Sequence, residues 1–142
     1  KEMTRFTITL EEGVNLVLKT LDTMIGGEIV VPKIPSFRIV DLTKAIDSKK
    51  NILITGIRPG EKIHEEMITT SDSLNTVEFK TFYIIMPNSE FISPEKLKEY
   101  RVFIKKNGAK KVLKNFCYNS QNNKNFLSIK EIEKLIVKTT KK

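Results

Sequence analysis

The feature that most restricts this chain is a change of hydrophobic period near residue 9. Arg5-Phe6-Thr7-Ile8-Thr9 alternates polar and apolar side chains, as a strand does, and Val14, Val17, Leu18 and Leu21 then recur at helical spacing. Thr9 and Glu12 stand at the separation of a capping box, and Gly26-Gly27 supplies a stop. The alternation continues. Glu28-Ile29-Val30-Val31 predicts a β-branched strand ended by Pro32; Leu42, Ala45 and Ile46 predict a short helix; 51–57 predicts a third strand. A polar turn at 58–62 and a short helical stretch through Glu66 follow. Segments that switch between these two periods specify an α/β domain.

Further on, 79–86 is aromatic and β-branched enough for a strand ending at Pro87, and Ser93-Pro94-Glu95 reads as an N-cap with proline in the first turn. Residues 101–125 are basic and asparagine-rich without a period, so a long surface loop is expected there. Ser128 and Glu131 form a second capping box, Leu127 can staple to Ile132, and Ile132, Leu135 and Ile136 make one apolar stripe.

With 142 residues the chain has material for one sizeable core. Residues 1–100 hold 13 basic and 15 acidic side chains, whereas 101–142 hold 12 and 2. The expected organisation is an α/β body over 1–100 and a basic C-terminal extension over 101–142 ending in an amphipathic helix. One cysteine, Cys117, and one histidine, His64, exclude a disulfide framework and are too few for a structural zinc site. The cysteine usage suits a reducing cytosol, and no apolar run reaches the roughly 18 residues that span a bilayer.

Catalytic machinery is not visible. Gly56-Ile57-Arg58-Pro59-Gly60-Glu61-Lys62 has three residues between its glycines where a phosphate-binding loop has four, and Ile63 follows the lysine. No Gly-x-Gly-x-x-Gly occurs, and none of Tyr83, Tyr100 and Tyr118 has a lysine four residues on. No catalytic, cofactor-binding or metal-ligating residue is therefore assigned. What remains is Arg58 at the end of an expected strand, where Pro59 fixes a turn and Gly60 permits close approach. A planar guanidinium there suits a diphosphate, and Glu61 can accept hydrogen bonds from sugar hydroxyls. Spacing alone favours a solvated turn, and for Arg5 a solvated edge charge. His64 reads as a solvated helix residue and Cys117 as a small buried one. Lys105, Lys106, Lys110, Lys111 and Lys114, interleaved with Phe103 and Phe116, read first as a solvated surface and second as a nucleic-acid or acidic-partner surface.

Three ordered segments, 3–14, 27–36 and 56–65, resemble the C-terminal part of the UDP-N-acetylglucosamine 4,6-dehydratases of the polysaccharide-biosynthesis (CapD-like) family. These are extended short-chain dehydrogenase/reductases. The resemblance continues through Tyr118-Asn119-Ser120, Asn122-Asn123 and Leu127-Ser128. It implies the C-terminal substrate-binding part of such an enzyme, lacking the N-terminal Rossmann half that carries NADP and the tyrosine-lysine pair. It implies Arg5 and Arg58 on the UDP diphosphate, Glu61 at the uridine ribose, and Lys62 and His64 in support of the loop. It further implies a cytoplasmic homo-oligomer that takes a UDP-sugar, removes water across C5 and C6 after oxidation at C4, and in some members inverts C5. An epimerase of the same superfamily is the neighbouring reading, and this chain by itself is expected to be inactive.

Overall fold

The computed structural model describes residues 1–140. Its elements are β1 (Thr4–Phe6), α1 (Leu10–Thr23), β2 (Ile29–Pro32), β3 (Ser36–Arg38), α2 (Ile39–Ile46), β4 (Glu66–Ile68), β5 (Thr76–Glu78), β6 (Phe82–Ile85), α3 (Pro94–Lys106), β7 (Lys110–Lys111), β8 (Tyr118–Asn119) and α4 (Ile129–Thr140), with 3-10 turns at Asp72–Asn75 and Ser89–Phe91. The sheets are β1-β3, β2-β6-β5-β7 and β4-β8. This is the mixed α/β chain that the period changes predict. The described residues form two compact units: the first comprises 1–9, 34–66 and 119–140, the second 10–33 and 67–118.

In the first unit β1 runs antiparallel to β3, with Arg5 opposite Phe37. Residues 36–38 carried no strand signal, and they pair because Ser36 is fixed from both sides: its amide donates to Asn125 O and its carbonyl accepts from Leu127 N–H. The chain turns directly into α2, against which α4 packs. The second capping box closes as its spacing requires. Glu131 Oε2 accepts from the Ser128 amide at 2.8 Å, and Ser128 Oγ accepts from the Glu131 amide at 3.4 Å. Ile132 on the apolar stripe is 2% exposed.

Residues 51–57 correct the sequence reading. They form no strand, and Leu53 is 86% exposed. β-branched composition favours a pleated surface only where a neighbouring strand takes up the backbone groups, and no described strand does so here. With Met3, Ile39 and Ile63 the run instead lines an open cavity of about 370 Å³. The helical stretch expected through Glu66 is likewise absent. Glu65 exchanges hydrogen bonds with Ser120, whose amide donates to Glu65 O at 2.8 Å and whose Oγ accepts from the Glu65 amide at 2.9 Å. Tertiary pairing outweighs the local pattern.

The second unit contains an antiparallel sheet in the order β2-β6-β5-β7, in which Val31 faces Tyr83 and Glu78 faces Tyr83 and Lys110. Val77, Phe79 and Ile84 form its core, packed by Val30, Phe82, Met86, Phe103, Ile104 and Ala109. The single strand expected over 79–86 is half of a hairpin. The Phe79 amide donates to Phe82 O at 2.9 Å across Lys80-Thr81, and the two rings stack at 4.6 Å. No glycine or proline announced that turn. The long loop expected over 101–125 is also corrected, because α3 continues to Lys106 and β7 then pairs with β5. Its start is as expected: Ser93 Oγ accepts from the Lys96 amide, with proline in the first turn. α1 has Glu11 and Glu12 in its first turn, where they complement the helix dipole, and Gly26 and Gly27 lie beyond its end at positive φ. None of its residues is buried; Val14, Val17, Leu18 and Leu21 are all half or more exposed.

Candidate functional site

The site is built where β1 meets the loop that begins at Arg58. Pro59 sets the first central position of a tight turn and Gly60, at φ +81°, takes the second, a positive-φ position that a side chain disfavours. The turn is closed twice: the Glu61 amide donates to Arg58 O at 3.0 Å, and the Arg58 amide donates to Glu61 Oε2 at 3.1 Å. Arg58 is exposed, and its guanidinium takes part in none of the ion pairs or side-chain hydrogen bonds among the described residues.

Arg5 is held differently. Its NH1 donates to Thr4 O at 2.8 Å and to Ile63 O at 3.2 Å. NH2 lies 4.0 Å from Glu61 Oε1 and Nε 3.6 Å from Glu65 Oε1. The structure therefore brings Arg5 and Glu61 together, and joins Arg58 to Glu61 through its main chain. Lys62 is exposed and enters none of these contacts.

Behind the arginine lies a group of hydroxyls. Thr4 is 4% exposed and Ser120 is wholly buried. Thr4 Oγ1 lies 2.7 Å from both Ser120 Oγ and His64 Nδ1. His64 is thus not the solvated helix residue expected: it is half-buried, off any helix, and bonded to β1. Glu65 completes the group, Oε2 accepting from the Phe6 amide at 2.7 Å. Glu65 and Ser120 stand within the segments that carry the family resemblance, but the chemistry of the residues gave no hint of their roles. Thr4 and Ser120 are 116 positions apart, and nothing in local spacing links them.

Phe103 and Phe116, which alternate with lysines, turn inward. Their rings pack on Phe79 at 5.5 Å and on Tyr83 at 5.3 Å, so neither is presented for base stacking. Cys117, between Phe116 and Tyr118, is half-buried. Desolvation, together with the negative charge of Glu78 and that of the Tyr118 phenol when ionised, pushes Tyr83 up to about 12. Burial and the hydrogen bond to Glu28 push Tyr100 up as well. Both phenols are held protonated, the opposite of what a proton-abstracting tyrosine requires. The described residues thus offer an exposed guanidinium, a carboxylate beside it and a hydrogen-bonded support behind them.

The family model described as "Polysaccharide biosynthesis protein" matches residues 1–87. The chain is 42% identical over 134 residues to a UDP-N-acetylglucosamine 4,6-dehydratase (inverting) of Campylobacter jejuni, covering 94% of this chain and 40% of that protein. It is 31% identical over 139 residues to a UDP-glucose 4-epimerase of Rickettsia massiliae, covering 95% and 38%. The X-ray structure of Pen from Bacillus thuringiensis superposes with a TM-score of 0.74 at 26% identity, over 98% of this chain and 40% of that one. The chain thus spans about two fifths of the length of these relatives.

Proposed function

This chain belongs to the CapD-like family of polysaccharide biosynthesis proteins, and on that footing we propose that it is the UDP-sugar-binding part of an NADP-dependent UDP-N-acetylglucosamine 4,6-dehydratase, with or without inversion at C5. The observation that carries the reading is the meeting of Arg5 and Glu61, which joins the first and third family-like segments beside the exposed Arg58. In the proposed complex Arg58 and Arg5 face the diphosphate and Glu61 accepts from the ribose hydroxyls. Residues 1–100 carry the substrate contacts and the basic 101–142 segment supports them.

NADP does not fit the described residues. There is no glycine-rich turn, and Tyr83 and Tyr100 are held protonated. In this reading the cofactor and the proton-moving groups belong to sequence outside this chain, and the chain alone does not turn over substrate. The place proposed for it is in cytoplasmic surface-glycan precursor synthesis, as a homo-oligomer. Among the described residues no helix is long and apolar enough to cross a membrane. The likeness to a UDP-glucose 4-epimerase favours a second reading, the same sugar-nucleotide site serving epimerisation. The inward-turned Phe103 and Phe116 weigh against nucleic acid as the partner.

Calorimetric titration of UDP into this chain tests the site. Arg58→Ala should weaken binding about ten- to hundredfold, the loss of charge-assisted hydrogen bonds of about 1.5–3 kcal/mol. Arg58→Lys should fall between, and Lys62→Ala should change little. Equal affinities for wild type and Arg58→Ala would end the assignment.

A further inference from the structure

We infer that Glu65 is the positioning residue of this site: it aims the Arg5 guanidinium and ties the loop carrying Arg58 and Glu61 to β1, without itself touching a ligand. The inference rests on the reading that this loop receives a nucleoside diphosphate. Glu65 serves two segments at once, its carboxylate facing β1 and its main chain Ser120. Oε2 accepts from the Phe6 amide at 2.7 Å, Oε1 faces Arg5 Nε at 3.6 Å, and its amide and carbonyl pair with buried Ser120.

Arg5 needs such a hand. A guanidinium carries five N–H donors in a rigid fork. NH1 is directed to Thr4 O and Ile63 O, which fixes one edge of the fork to the main chain. The Nε edge is set by Glu65, which leaves the NH2 end at the rim beside Glu61, 4.0 Å away. A diphosphate arriving at Arg58 can take over that NH2 end, provided the other two edges stay fixed. Without Glu65 the Nε edge swings free and the fork meets its ligand in many orientations, an entropic loss on binding. Thr4 is locked in turn, Oγ1 lying 2.7 Å from both Ser120 Oγ and His64 Nδ1. The carbonyl that receives Arg5 is therefore itself immobile.

The test uses the 15N-labelled chain, whose four arginines, Arg5, Arg38, Arg58 and Arg101, give a small set of Nε–H resonances. Arg5→Lys assigns the one that disappears. In wild type the Arg5 Nε–H should exchange with water more slowly than that of the exposed Arg101. Glu65→Gln keeps an oxygen for the Phe6 amide but loses the charge. It should shift the Arg5 resonance, bring its exchange to the Arg101 rate, leave the amide of Phe6 protected, and weaken UDP about two- to fivefold, the range of a partly exposed ion pair. Glu65→Ala should expose the Phe6 amide as well. An Arg5 resonance unmoved by Glu65→Gln overturns the inference, and so does a loosened Arg5 with UDP affinity unchanged. If wild type binds no UDP, the proposed function falls, and the Arg5 resonance alone then decides whether Glu65 holds the guanidinium.

Discussion

The two units are stabilised by different physics. Among the described residues the second contains Val31, Ile68, Val77, Phe79, Tyr83, Ile84, Tyr100 and Tyr118 as buried hydrophobic or aromatic side chains, whereas the first contains Ile132. Where the second unit also buries Ser73 and Thr76, whose hydroxyls donate to carbonyls three and four residues back, the first unit buries Thr4, Ser36 and Ser120. Each of these is satisfied across a long sequence separation: Ser36 Oγ, for example, accepts from Asn123 Nδ2 at 2.8 Å. Apolar packing is tolerant of direction, and hydrogen bonds are not. The unit that contains the candidate site is thus built largely from directional contacts, and the other largely from buried apolar area.

The largest expected effect breaks the second unit. Phe79 is 7% exposed, stacks on Phe82 and packs on Phe103. Phe79→Ala should cost about 3–5 kcal/mol of unfolding free energy, read by urea denaturation. UDP affinity per folded molecule should be unchanged, because the candidate site lies in the first unit and this core in the second. A shift in UDP affinity with the fold intact would show that the division of labour is wrong.

The converse change sharpens the comparison. Ser120→Ala removes the hydroxyl that accepts from the Glu65 amide at 2.9 Å and lies 2.7 Å from Thr4 Oγ1. Leaving such groups unpaired costs about 1–3 kcal/mol. The transition of the first unit should move, with UDP affinity falling alongside it. Probes on Tyr83 in the second unit should report a smaller change. A common shift at both probes would mean the units unfold as one.

This contrast also explains what was legible in the sequence. Ser128 with Glu131 and Ser93 with Pro94 follow from short-range spacing and form as read, and the strand expected over 28–31 forms one residue later, as Ile29–Pro32. A turn chemistry and a family resemblance mark Arg5, Arg58 and Glu61 as candidates. Thr4 and Glu65 were not singled out, and His64 was read as solvated. Hydrogen bonds such as Thr4 to Ser120 and Phe6 to Glu65 join residues with no common period. The strand expected at 51–57 shows the same limit from the other side: its composition is right, but a strand is a property of two segments.

The smallest effect concerns pH and tests whether the second unit too contains one directional contact that matters. Tyr100, 1% exposed, donates from its hydroxyl to Glu28 Oε2 at 2.6 Å, and the amides of Ile25 and Gly26 donate to the same carboxylate at 2.7 Å each. Burial pushes the Glu28 carboxyl up, but these hydrogen bonds outweigh it and hold the group below its ordinary value. A carboxyl lowered on folding adds stability above its unfolded value of 4.5, and loses it as pH falls through the lower folded value. Burial and the Glu28 hydrogen bond push Tyr100 up, so its share is present below 10 and is lost as pH rises through the raised folded value. One contact thus shapes both limbs of the stability curve. Tyr100→Phe should flatten both, removing about 1 kcal/mol near neutrality and progressively less toward each extreme. Denaturation midpoints at pH 3, 7 and 11 check this: a Tyr100→Phe deficit equal at all three would mean that the ring, not the hydrogen bond, carries the contribution.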